Sequence, residues 1–301
     1  KGGSAPISRS QSNSRPAKLS SFEYKNIFFY EDNFDFIYNE AGNSTYGSEQ
    51  GKNIRDSITK FQVFCYEHKQ ELIPVLFSEE HFSSDHKIRP ALTKENYYDF
   101  NILDFAYGLW QYQYAPMSDI IDFLSLPENT EEELAAKRNA AVDLIIKASA
   151  DMSNISYNCS SFPYFITAHR EMGNYAYDFS YVKAMAASEG KEIHISIPEG
   201  QEREYFNKIY LSEDQIEKIK YDDTMYNTLI EWIKDSSVKT TIIMINGQED
   251  PWYHISLPIP EEIGENIKVY THPSNNHRVQ ITDFEEETQK EIMDYLTGWV
   301  N

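Results

Sequence analysis

From about Lys52 onward, apolar residues return every three or four positions. Ile54, Ile58, Phe61, Phe64, Cys65 and Leu72 share one side of a helix, because a 3.6-residue turn brings i, i+4 and i+7 together. The spacing therefore predicts an amphipathic helix there, with further helices at about 95–114, 131–149, 161–174 and 179–188. Two starts carry their own signals. Thr130 followed by Glu131, Glu132 and Glu133 forms a T-x-x-E capping box, with carboxylates in the first turn where the helix dipole favours them. Ser212 with Gln215 has the same form, and Leu211 and Ile216 stand at the positions of a hydrophobic staple. Residues 50–200 read as mostly helix, without a strand ladder.

After residue 200 the period changes. A helix predicted at about 213–235 leads into Thr240, Thr241, Ile242, Ile243, Met244 and Ile245, the continuous apolar, β-branched run that a strand buried on both faces requires. Asn246-Gly247 stops it. A second short strand runs from Ile267 to Tyr270, a polar loop His272-Pro273-Ser274-Asn275-Asn276-His277 follows, and a last helix spans about 283–299. This rhythm predicts a parallel sheet with crossover connections, hence an α/β fold. Residues 1–20, KGGSAPISRSQSNSRPAKLS, have no period and read as a flexible arm or linker. No internal repeat is visible.

Composition narrows the function. A 301-residue chain with 41 % hydrophobic residues is long enough to bury a sizeable core. Its 48 acidic against 27 basic residues give a net charge of −21, which repels phosphate backbones and anionic headgroups. Nucleic acid and membrane surfaces are excluded as expected partners. No apolar run reaches a membrane-spanning length, and the first twenty residues lack the apolar segment of a signal peptide. Cys65 and Cys159 have no C-x-x-C or Cys/His spacing, so no metal site is indicated, and one disulfide or two buried thiols both remain open.

In parallel α/β sheets the functional loops lie beyond the carboxyl ends of the strands. Asn246-Gly247-Gln248-Glu249-Asp250-Pro251-Trp252 occupies that place after the first strand, and Asn275-Asn276-His277 after the second. An acid and then a histidine past successive strands match the order of nucleophile, acid and base in α/β-hydrolases. The chemistry needs those types: a histidine takes the nucleophile's proton, and a carboxylate behind it fixes the tautomer and stabilises the imidazolium. On this reading Asp250 and His277 lie within hydrogen-bond reach, about 2.6–3.2 Å, and Glu249, the local rival for the acid, points away. The plainer reading makes Asp-Pro-Trp an ordinary turn, Trp252 packing and His277 a surface loop residue.

The loop Asn246-Gly247 through Asp250-Pro251-Trp252 resembles the N-G-x-x-D-P-W loop of the secreted tripeptidyl aminopeptidases and the related prolyl carboxypeptidases and dipeptidyl peptidases. In that pattern the Asp is the triad acid and the histidine follows on the next strand-loop, here Asn276-His277-Arg278. Phe105-Ala106-Tyr107-Gly108-Leu109-Trp110-Gln111-Tyr112 looks like the family's aromatic lid helix, and Arg170-Glu171-Met172-Gly173-Asn174-Tyr175 like its R-E-x-G-x-Y segment. With Ile54 to Gln62 also fitting, the resemblance covers roughly residues 50 to 300. It implies an α/β-hydrolase fold with a large helical lid inserted before the last two strands. The expected division is an arm at 1–20, a connector at 21–50, a helical lid at 51–200, and the C-terminal part of the catalytic domain at 201–301.

The resemblance further implies a serine exopeptidase that releases short peptides from a free N-terminus through acyl-enzyme chemistry, with no cofactor, a peptide as partner, and a secreted or periplasmic location. Glu171 is then the expected anchor for the peptide's α-ammonium, although pairing with Arg170 explains it as well. Trp110, Tyr107, Tyr175 and Trp252 are the expected pocket residues, against core packing as the alternative for such aromatics. Trp110 and Glu171 are expected on the inner side of the lid, facing the loop of His277. The 301 residues contain no G-x-S-x-G, and Gly47-Ser48-Glu49-Gln50-Gly51 has the wrong spacing for a nucleophile elbow. The family's serine sits in an S-K-G-G element. Lys1-Gly2-Gly3 is either the end of such an element or ordinary linker composition, and in both cases the serine is expected outside these residues. The rival reading is a non-catalytic peptide- or partner-binding relative.

Overall fold

A computed structural model of the chain describes residues 34–78, 81, 92–112, 117–149, 178–218, 222, 224–235, 237, 240, 242–254 and 267–300. A π-helical turn at Phe36–Glu40 leads into α1 (Asn43–Tyr46), α2 (Ser48–Glu67) and α3 (Lys69–Leu76). Then come α4 (Lys94–Tyr112), α5 (Met117–Leu124), α6 (Glu131–Ser149), α7 (Ser180–Ser188), α8 (Glu202–Tyr210), α9 (Glu213–Lys218) and α10 (Thr224–Lys234). Strand β1 (Ile242–Gly247), α11 (Pro251–His254), strand β2 (Ile267–His272), a 3-10 turn at Ile281–Asp283 and α12 (Glu286–Val300) complete the order. The described chain is mostly helical with a small two-stranded parallel sheet.

The helical unit is built round α4, which is buried on nearly every side, as its lack of a polar face demands. Helix α2 lays its stripe of Ile54, Ile58, Phe61 and Cys65 on it. Phe61 meets Phe105 with ring centroids 4.6 Å apart and Phe123 of α5 edge-on at 4.9 Å. Each such side chain, once fully buried, contributes on the order of 1.5–3 kcal/mol. The same cluster takes in Phe34, Phe36, Ile37 and Ala41 at one end and Ile209 and Leu211 at the other. Within the stretch expected as a connector at 21–50, Phe34, Phe36, Ile37, Tyr38 and Ala41 belong to the helical core, while 44, 45 and 47–50 are exposed; Ile209 and Leu211 carry that core past residue 200.

The predicted helices at 131–149 and 179–188 are α6 and α7, and the one at 95–114 is α4. The helix predicted at about 213–235 is instead two, α9 and α10. Asp222 lies outside both, and its carboxylate accepts the Thr224 N–H at 3.1 Å where α10 begins. The arm at 1–20, the helix expected at 161–174, Cys159, Glu171 and Tyr175 all lie outside the described residues. Cys65 is a buried free thiol.

Strands β1 and β2 pair in parallel, from Ile242 opposite Ile267 to Gly247 opposite His272. Parallel pairing puts the loops after both strands at the same edge. A small cluster of Val279, Phe284 and Ile292 packs against Ile243, Ile245 and Tyr270. Residues Ile242 to Asn246 are half-buried rather than enclosed on both faces, because each strand has only the other as partner among the described residues. None of the described helices is long and apolar enough to cross a membrane.

Candidate functional site

Register alone brings the two loops together. Gln248 N–H donates to the His272 carbonyl and Glu249 N–H to the Asn275 carbonyl, both at 2.9 Å. The chain then turns into α11 with Asp250 as its capping residue. Asp250 Oδ1 accepts the Trp252 N–H at 3.0 Å, and Pro251, which has no N–H to satisfy, fills the first helical position. The Asp-Pro-Trp turn and the candidate acid are therefore one feature: capping fixes the carboxylate, leaving its second oxygen for another donor.

That donor is His277. Its Nδ1 lies 2.7 Å from Asp250 Oδ2, with the acid buried and the imidazole 17 % exposed. An ionised carboxylate can only accept, so Nδ1–H donates to Asp250, and Nε2 makes no hydrogen bond among the described residues. His277 is held at two further points, its backbone N–H and its ring. The His277 N–H donates at 3.2 Å to the Gln111 carbonyl in the last turn of α4, one of the carbonyls a helix end leaves unpaired. Tyr112 meets the imidazole edge-on, centroids 5.1 Å apart. Asn276, buried, accepts the Arg278 N–H through its side chain at 3.0 Å, which sets the turn that presents His277.

Glu249 takes another direction from Asp250. Its Oε2 accepts the Gly42 N–H at 2.6 Å, and its Oε1 accepts the Thr45 N–H at 3.1 Å and the Thr45 hydroxyl at 3.2 Å. Nearby, Arg55 donates to the Ala41 carbonyl at 2.6 Å and to Asn43 Oδ1 at 2.9 Å. Burial holds the Arg55 guanidinium below its usual range, against the opposing charges of Asp56, Glu249 and Glu40.

Of the expected pocket residues, Tyr107 and Trp252 meet edge-on at 5.8 Å. Trp110 is fully buried and lies over Gly42, where an added Cβ would stand 2.6 Å from its Cη2. Tyr107 is buried too, so both back the site from within the helical core and present no open face in this arrangement. Trp252 is half-buried between the sheet loops and that core. The contacts of Gln111 and Tyr112 with His277 and the anchoring of Glu249 were missed by the sequence reading, since no spacing rule connects residues so far apart in the chain. Among the described residues, no group of three or more His, Cys, Asp or Glu side chains is arranged to hold a metal.

Chemically, a buried carboxylate bonded to a partly exposed imidazole, whose Nε2 has no partner among the described residues, is an acid–base pair: in its neutral form the ring can accept a proton at Nε2 and return it. Comparisons of the chain with protein-family models, with curated proteins and with solved structures find no match.

Proposed function

We propose that Asp250 and His277 are the acid and base of a serine exopeptidase with an α/β-hydrolase fold, similar to the tripeptidyl and prolyl aminopeptidases. The observation that carries the reading is the 2.7 Å contact between His277 Nδ1 and Asp250 Oδ2, made by loops at the same edge of two parallel strands. The N-G-x-x-D-P-W resemblance and the helical unit against the histidine loop support it. In this mechanism His277 Nε2 takes the proton of a serine hydroxyl as the oxygen attacks the scissile carbonyl, and gives it to the leaving amine as the C–N bond breaks. Water then attacks the acyl-enzyme, its proton passing through the same Nε2 back to the serine. Asp250 stays ionised and stabilises the imidazolium.

The test uses the full product of the gene, a fluorophosphonate probe and a chromogenic Ala-Ala-Pro substrate. The expected result is one labelled serine, identified by peptide mapping, and turnover that falls about 10⁴-fold in Asp250→Asn. His277→Ala is expected to abolish labelling. Labelling and turnover that survive both substitutions would remove the pair from the chemistry. Peptide binding without any labelled serine would favour the non-catalytic relative.

A further inference from the structure

Successive residues of one loop serve two partners. Asp250 faces His277, while Glu249 is buried against the turn of residues 42–45. That turn is itself held firmly. Arg55 grips it through the Ala41 carbonyl and Asn43, and the Trp110 indole covers Gly42, whose φ of 84° is a backbone conformation that favours glycine. The turn also touches the histidine loop directly: Ser44 Oγ donates to the Pro273 carbonyl, and Thr45 Oγ1 reaches the Ser274 carbonyl at 3.3 Å. Glu249 thus joins the acid loop to the 42–45 turn through its carboxylate and to the histidine loop through its backbone N–H.

We infer that Glu249 is a positioning residue, whose carboxylate locks the acid loop to the Gly42–Thr45 turn and so keeps Asp250 in register with His277. The inference rests on the acid–base pair proposed above. Three donors converge on Glu249, and its own N–H holds Asn275, two residues before His277. Only a group with two accepting oxygens completes this set. The amide introduced by Glu249→Gln would turn an NH₂ toward Gly42 N–H or toward the Thr45 donors, setting donor against donor. The resulting shift passes through a single peptide to Asp250, and displacement of a catalytic group by about 1 Å costs on the order of 10²-fold in rate.

The experiment compares Glu249→Gln, Thr45→Val and Asp250→Asn in the full gene product, with Lys69→Met as a control that weakens the core three turns of α4 away. Two readouts are taken: kcat and KM on the chromogenic tripeptide, and the downfield Nδ1–H proton resonance of His277 in histidine-labelled protein. The expected outcome for Glu249→Gln is kcat lower by about 10²-fold, KM within about twofold, and a weakened or lost resonance. Thr45→Val gives a smaller loss in the same direction, and Lys69→Met leaves kcat and the resonance unchanged. Wild-type kcat with an undiminished resonance in Glu249→Gln overturns the positioning role. If that variant does not fold, the same result in Thr45→Val overturns it. Wild-type kcat in Asp250→Asn instead overturns the peptidase reading, and the resonance alone then decides whether Glu249 orders the pair.

Discussion

Gly247, the last residue of β1, faces the histidine loop so closely that a Cβ there would stand 2.3 Å from the Asn275 carbonyl oxygen and 2.4 Å from that of Asn276. Backbone lies on both sides of this contact, so nothing flexible can yield. Gly247→Ala is expected to push the histidine loop away from β1, costing about 1–3 kcal/mol as other overpacked sites do and separating His277 from Asp250. Urea unfolding together with the His277 Nδ1–H resonance reads both effects. A variant with wild-type stability and an intact resonance would show that the close approach sets nothing.

The capping box at the start of α6 offers a local measurement. Glu133 Oε2 accepts the Asn129 and Thr130 N–H groups at 2.9 and 3.1 Å, and the Glu133 N–H donates to Thr130 Oγ1 at 3.2 Å. Thr130→Ala is expected to destabilise by about 1 kcal/mol, and Thr130→Ser by much less. Equal losses in the two variants would place the effect in the threonine methyl rather than in the cap.

These cases show what was legible in the sequence. Thr130 and Glu133 act within four residues, so spacing alone exposes them. The strand run from Ile242, its stop at Gly247 and the Asp-Pro-Trp turn are equally local, and parallel pairing then places Asp250 beside His277. The partners of Glu249 are Gly42 and Thr45, some two hundred residues earlier, and no periodicity links them. The break between α9 and α10 was hidden for a different reason: apolar residues keep their helical spacing across it, and among the described residues the Asp222 bond to Thr224 marks the new start. Trp110 and Tyr107 carry the aromatic signature of a pocket wall, yet the same signature describes a core: Trp110 is buried over Gly42, and Tyr107 is buried with Phe34 and Trp252 beside it.

His68 links stability to pH. Burial beside Phe64, whose ring centroid is 4.4 Å away, is the main cause holding the imidazole below its usual value, with Arg138 adding to it and Glu67, Glu71 and Glu128 opposing. A depressed histidine favours the neutral ring in the fold, so its contribution is present above the unfolded value of about 6.5 and is lost as pH falls through the lowered folded value. The effect is modest because the ring is partly exposed to water. His68→Gln should therefore lose less melting temperature between pH 7 and about 5 than the wild type does. An identical drop in both proteins would exclude His68 as a contributor.

Lys69 and Asp99 form a buried ion pair at 2.7 Å, with side chains 3 % and 0 % exposed. Asp99 also accepts the Ser196 N–H at 2.6 Å and the Ser196 hydroxyl at 2.5 Å, tying the segment after α7 to α4. Burial raises the Asp99 carboxyl above its usual value, while Lys69 and Ser196 pull it back. Lys69→Met strands the carboxylate and is expected to cost about 3–5 kcal/mol at neutral pH. Without its cation the acid is raised further. A raised carboxyl contributes stability that is present below the unfolded value of about 3.9 and lost as pH rises through the folded value. The deficit of Lys69→Met should accordingly shrink as pH is lowered toward 4. Adding Asp99→Leu removes the stranded charge and restores most of the loss, leaving about 1–3 kcal/mol for the Ser196 N–H that no longer has an acceptor. Urea unfolding of the two single variants and the double variant, at pH 7 and pH 4.5, closes the cycle. Additive losses, or a Lys69→Met deficit independent of pH, would show that the pair does not act as a unit.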